Sequence, residues 1–159
     1  MGFMSPDVLC SNAVRLIPNA SLYHFGILTS NVHMAWMRVV CGRLEMRYRY
    51  SKDIVYNNFP WPGASSRQTG GAASAEKGNL SPEMVARIET TAQAILDARA
   101  KYPDCSLADL YDEVTMPPEL RKAHQENDRA VMAAYGFSTK MTESECVAEL
   151  FKMYQALTA

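Results

Sequence analysis

Four cysteines, no long apolar run and no grouping of metal-ligating side chains set the first limits on this chain of 159 residues. Cys10, Cys41, Cys105 and Cys146 stand singly, and none has the close spacing of a zinc knuckle or a redox pair. Buried free thiols are the expectation. No stretch reaches the roughly 18 apolar residues of a membrane-crossing helix. The start, MGFMSPDVLC, lacks the basic residues and apolar stretch of a secretory signal. It reads more like the cut edge of a longer protein, and the expected location is the cytoplasm. Catalytic signatures are missing too: no glycine-rich loop follows a strand to hold a nucleotide, and neither G-x-x-x-x-G-K-S/T nor H-E-x-x-H occurs. The three histidines, His24, His33 and His124, are isolated. Among apolar neighbours on a helix, each reads as a hydrogen-bonded packing residue rather than a base.

What is present is an ordinary globular composition, 48% hydrophobic and 21% charged, enough to bury a core. The net charge of -1 hides an asymmetry. Residues 1–62 hold six Lys or Arg against three Asp or Glu, whereas residues 63–159 hold ten against fourteen. The front half is therefore the part suited to a polyanion. Its positive charge concentrates in Arg38, Arg43, Arg47, Arg49 and Lys52, interrupted by Glu45.

The segment 63–79, GASSRQTGGAASAEKGN, is small, polar and glycine-rich, and is predicted to be a flexible connection. Before it, Val14 and Leu16 suggest a short strand stopped by Pro18 and a turn at Asn19. Ser21 is placed to cap a helix through Leu28. Ser30 or Asn31 caps a second, with Val32, Trp36, Val39 and Val40 at helical spacing and Gly42 at its end. RLEMRYRYS then alternates, with Leu44, Met46, Tyr48 and Tyr50 on one side of a strand and Arg43, Glu45, Arg47 and Arg49 on the other. Residues 53–59 read as another extended segment, closed by Pro60-Trp61-Pro62.

Beyond the connection the pattern is helical. Ser81-Pro82 opens a helix burying Met84, Ile88, Ala92, Ile95 and Leu96, Ser106 caps a short one, Pro117-Pro118 opens another that runs to Gly136, and Thr142 with Glu145 forms a capping box for the last. The predicted class is α+β, mainly α. It divides into a partial domain of short strands and helices (1–62), a linker (63–79) and a small antiparallel helical bundle with an acidic surface (80–159).

The charged side of RLEMRYRYS carries the chemistry. Arginine can grip guanine O6 and N7 with two hydrogen bonds, a carboxylate can accept from cytosine N4, and further basic groups can hold phosphates. Glu45 beside Arg47 suits one C:G base pair. Spacing alone favours the plainer reading, in which Glu45 merely offsets neighbouring arginines on an exposed strand, each pair worth well under about 1 kcal/mol.

The stretch LYHFGILTSNVHMAWMRVVCGRLEMRYRYSKDIVYNNFPWP (22–62) resembles the end of the target-recognition domain of MmeI-like (type IIG/IIL) adenine-specific DNA methyltransferases and restriction enzymes. ILDARAKYPDCSLADLYDEVTMPPELRKAH and DRAVMAAYG resemble the small helical domain that closes those proteins. The resemblance implies a recognition and scaffolding fragment of a restriction-modification enzyme that moves a methyl group from S-adenosylmethionine to adenine N6 in double-stranded DNA. The donor-binding and N-P-P-Y motifs belong to an upstream methyltransferase domain, so no catalytic residue and no cofactor is expected in this chain. Magnesium enters only if the parent has a nuclease domain. Asn57-Asn58-Phe59-Pro60 is only superficially like N-P-P-Y, in the wrong order. In the family a pair of residues two apart selects the base at one position of the site, and Glu-x-Arg goes with C:G. Glu45-Met46-Arg47 matches that pattern, with Arg43, Arg49, Lys52, His33 and Asn57 as secondary contacts to DNA. The competing readings are a stand-alone helical interaction module, using a surface rich in methionine and tyrosine, and a small enzyme using His33 or His124.

Overall fold

A computed structural model describes residues 1–11, 14–44, 47–64 and 79–158. The elements are α1 (Leu22–Leu28), α2 (Asn31–Val40), β1 (Gly42–Leu44), β2 (Arg47–Arg49), a π-helical turn (Lys52–Tyr56), α3 (Pro82–Ala100), α4 (Leu107–Leu110), α5 (Pro118–Tyr135) and α6 (Glu143–Thr158). The mainly helical α+β class holds. No helix among the described residues is long and apolar enough to cross a membrane.

Most helix boundaries fall where capping chemistry puts them. Ser30 Oγ accepts from the His33 N–H, Ser81 Oγ from Met84 and Ser106 Oγ from Asp109, each satisfying a backbone donor that the first turn leaves unpaired. Thr142 and Glu145 exchange the reciprocal bonds of a capping box. Gly136 ends α5 with φ 70°, a conformation that glycine adopts without steric cost.

Three expectations fail. Residues 14–17 form no strand, and Val14 and Leu16 are exposed. With no strand beside it among the described residues, an apolar alternation this short does not hold a sheet. RLEMRYRYS is not one strand but two, paired antiparallel with Gly42 opposite Arg49, Arg43 opposite Tyr48 and Leu44 opposite Arg47. Residues 53–59 are not extended. Lys52–Tyr56 winds into a π turn in which Ser51 Oγ accepts from Ile54 N–H, the Asn57 N–H donates to Lys52 O, and Asn58 Nδ2 donates to the carbonyls of Asp53 and Ile54. These local bonds, with the Trp36 indole N–H donating to Val55 O at 3.1 Å, override the β preference of Ile54 and Val55.

The helical stripes are correct in phase and shifted in detail. On α3 the buried positions are Val85, Ile88, Ala92, Ile95 and Ala98, while Met84 and Leu96 are half-buried. On α2, Val32 and Trp36 are buried and Val39 is exposed. Cys41 and Cys146 are buried free thiols, whereas Cys105 is exposed and Cys10 intermediate.

The rear helices share their core with the front half. One cluster joins Tyr23, Ile27 and Trp36 from the front half to Val85, Ile88, Val131 and Leu150 from the rear. A second sets Phe25 of α1 among Ala92, Ile95, Leu110 and Leu120. The ends of the expected connection also meet: the Asn79 N–H donates to Gly63 O at 3.1 Å. Gly63 has φ 75°, and a Cβ there would lie 3.1 Å from Leu80 Cγ, so the chain reverses at a residue that tolerates this backbone. Residues 65–78 of the predicted linker lie outside the described residues.

Candidate nucleic-acid interface

The hairpin β1–β2 grows directly from the end of α2. Cys41 caps that helix, its N–H donating to Met37 O, and β1 begins at the next residue. Glu45 and Met46, between the paired positions Leu44 and Arg47, lie outside the described residues. The hairpin changes the expected row: position 43 is on one strand and positions 47 and 49 on the other, so these three basic positions do not run in a single line.

Arg49 and Lys52 are exposed. Lys52 Nζ lies 4.0 Å from Asp53 Oδ1, a solvent-screened contact that leaves the ammonium available to another anion. Asn57 is exposed, and its side-chain amide donates to Asp53 Oδ1 at 3.2 Å. Arg38, part of the basic stretch in sequence, is committed elsewhere: it bridges α2 to Glu143 of α6 at 2.9 Å.

His33 does not belong with these residues. It lies in the first turn of α2 with its side chain turned into the core, fully buried. Its Nε2 lies 3.1 Å from Tyr50 Oη, and its ring meets Phe59 edge-on at 4.6 Å. Burial pushes its pKa down to about 3, so the ring is neutral and out of reach of a phosphate or a base edge. His124 is also spoken for, with Nε2 2.6 Å from Tyr111 Oη, which accepts from Arg99 Nε. Phe59 and Pro60, of the stretch superficially like a methyltransferase motif, are buried, and Pro60 O accepts from Tyr135 Oη.

Two connections lie outside the reading of the sequence given above. The alternation of RLEMRYRYS places Tyr50 on an apolar strand face, and nothing local marks its phenol as the partner of His33. Asn127 is fully buried on α5, donating to Gly26 O at 2.8 Å and accepting from Thr91 Oγ1 at 3.1 Å. A signal for it existed: position 127 falls in the apolar stripe of Leu120, Ala123, Ala130 and Val131.

Residues 1–63 match the family model described as the MmeI target recognition domain, and residues 80–159 match that of the MmeI C-terminal domain. The chain belongs to the MmeI family. DNA methyltransferase A of Bacillus subtilis (strain 168) is 36% identical to it over 158 residues, which is 99% of this chain and 16% of that protein. Among solved structures, the type IIL restriction-modification enzyme MmeI in complex with DNA superposes with a TM-score of 0.76 at 46% identity, over 89% of this chain and 17% of that one. The chain thus spans less than a fifth of the length of either protein. The MmeI target-recognition match ends at Gly63, the residue whose carbonyl accepts from Asn79.

S-adenosylmethionine, the donor implied by the resemblance, needs a slot for adenine and partners for ribose hydroxyls. A surface groove between α2, α5 and α6 is lined by Asn31, Ala35, Arg129 and Met132 among others, with no aromatic side chain among the described residues. Its Asn31 and Arg38 are already bonded to Asp128 and Glu143. That lining does not fit the donor.

Proposed function

We propose that this chain is the DNA-reading and scaffolding part of an S-adenosylmethionine-dependent adenine-N6 methyltransferase of restriction-modification type. The observation that carries the reading is a basic β-hairpin inside the target-recognition match, in a chain 46% identical to an enzyme solved with DNA. In this reading residues 1–62 end a recognition domain, 63–79 are a linker, and the helices of 80–159 brace the hairpin. The hairpin enters the major groove. Glu45 accepts from cytosine N4 and Arg47 grips guanine O6 and N7 of the same base pair, a discrimination worth about 1–3 kcal/mol for a good bidentate contact. Arg43, Arg49, Lys52 and Asn57 supply contacts to phosphates or neighbouring bases. The methyl donor and the N-P-P-Y motif belong to an upstream methyltransferase domain, the partner against which this piece is positioned.

The deciding experiment is a charge exchange, Glu45→Lys with Arg47→Asp, in a complete enzyme carrying this chain. The altered enzyme is expected to methylate a different sequence at an undiminished rate on its new site. Continued modification of the original site alone overturns the assignment of these two residues.

A further inference from the structure

A two-stranded hairpin with three paired positions is marginal by itself, and among the described residues no other strand pairs with it. Its direction relative to the body is therefore set where its two limbs enter the body. The outgoing limb is fixed by covalent continuity with α2 through the buried Cys41. The returning limb is fixed at Tyr50, the residue after β2, whose half-buried phenol reaches His33 Nε2 at 3.1 Å.

His33 is well suited as the fixed end of such a bond. Its backbone N–H is held by Ser30 Oγ, and its ring is caught between α2 and Phe59, with no exposed surface. Its other nitrogen, Nδ1, has no hydrogen-bond partner among the described residues, so within them the contact with Tyr50 is the ring's single polar tie. We propose that His33 and Tyr50 form a positioning clamp that sets the angle at which the hairpin presents residues 45 and 47 to a base pair. The clamp rests on the reading of the hairpin as the base reader. It is polar but uncharged: burial keeps the imidazole neutral and raises the phenol far above its ordinary range. Ionic strength, which weakens phosphate contacts, therefore leaves it intact. His33 and Tyr50 touch no DNA in this scheme and act only through the backbone of β2.

The test compares Tyr50→Phe, His33→Phe and His33→Gln in a complete enzyme, beside the Glu45→Lys/Arg47→Asp exchange. Tyr50→Phe removes one hydroxyl and keeps the packed ring, so it decides the matter even if His33→Phe fails to fold. Hydrogen exchange of peptides spanning 42–50 is expected to quicken by about tenfold in both Phe variants, the scale of one lost buried hydrogen bond, while peptides from α3 and α5 hold their rates. In the same variants, methylation of sites altered at the base pair read by residues 45 and 47 should rise about tenfold relative to the original site, with turnover on the original site preserved. His33→Gln, whose amide nitrogen can approach the position of Nε2, should restore both properties. Unchanged exchange in Tyr50→Phe overturns the clamp. A loosened hairpin with undiminished sequence discrimination, in an enzyme whose specificity does respond to the charge exchange, overturns it as well, because the pair would then serve stability alone. If the charge exchange itself leaves specificity unaltered, the base-reader assignment fails, and the clamp's role in specificity fails with it.

Discussion

Asn127 of α5 hydrogen-bonds the backbone carbonyl of Gly26 in α1 at the point where the front half of the chain crosses the rear helices. The bond is short, 2.8 Å, and the asparagine is fully buried. Its amide oxygen is used as well, accepting from Thr91 Oγ1 on α3. One side chain thus ties three helices together. The approach is close because residue 26 has no side chain: a Cβ there would sit 2.8 Å from Ile88 Cγ2 and 3.1 Å from Asn127 Oδ1.

Asn127→Ala should destabilise the chain by about 2 kcal/mol, since it takes the amide donor from the buried Gly26 carbonyl and opens a small void, while the Thr91 hydroxyl keeps the Ile88 carbonyl as an acceptor at 3.0 Å. Gly26→Ala should cost about 1–2 kcal/mol, the overpacking outweighing the gain in helix propensity. Urea unfolding measures both. Because the two residues touch, the double variant is expected to lose less than the two single losses combined, and strict additivity would show that the contact contributes nothing.

The same crossing bears on whether the halves fold separately. Phe25 lies among Ala92, Ile95 and Leu120, and Tyr23 and Ile27 lie among Ile88, Ala130 and Val131. Each such large side chain stabilises by roughly 1.5–3 kcal/mol when buried. Three or four of them rival the whole stability of a small domain, roughly 5–15 kcal/mol. Residues 80–159 expressed alone should therefore keep helical circular dichroism but melt without a cooperative transition, and adding residues 1–63 in trans should restore one. A sharp transition for 80–159 alone would show that the bundle does not need α1 and α2.

How much of this could be read in advance follows from where the information lies. Helix starts were legible because capping is local: Ser30, Ser81, Ser106 and Thr142 announce themselves within four residues. The hairpin was not, because Glu45-Met46 contains none of the glycine, asparagine or aspartate that usually marks a tight reversal, and the alternation of RLEMRYRYS runs through it unbroken. The π turn was hidden for a different reason. Its stability comes from Ser51, Asn58 and the distant Trp36 rather than from the intrinsic preference of Ile54 and Val55. At the candidate site, the basic character of positions 43–52 was plain, but the removal of Arg38 by Glu143 and of His33 by burial depends on contacts across the fold.

Burial of His33 also predicts a pH dependence. Its pKa in the folded chain is about 3, against an ordinary 6.5, so the unfolded chain takes up a proton that the folded chain refuses. The stability is fully present above the unfolded value and declines as pH falls from about 6.5 towards 3, by at most about 1.4 kcal/mol per pH unit. Between pH 7 and pH 5 the loss from this residue is about 2 kcal/mol. His124, lowered to about 4 by burial, contributes with the same sign, discounted for its partial exposure. Denaturant unfolding of His33→Gln across this window should give a visibly flatter profile than that of the unaltered chain; parallel profiles would mean that the buried ring is not the titrating group.

Salt separates the residues that hold phosphates from those that hold the fold. Neutralising one phosphate releases counterions, and the slope of log affinity against log salt changes by about 0.9 for each such contact. Arg49→Ala and Lys52→Ala, both at exposed positions, are each expected to reduce that slope by about one while weakening all duplexes alike. Arg38→Ala is the informative control. Its guanidinium is already bonded to Glu143, so its loss should leave the slope unchanged and at most lower the melting temperature slightly. Fluorescence anisotropy of a complete enzyme with labelled duplexes between low and physiological salt reads all three. A slope that responds to Arg38 and ignores Lys52 would move the DNA from the hairpin to the α2–α6 face, and the geometry of recognition argued above would have to be abandoned.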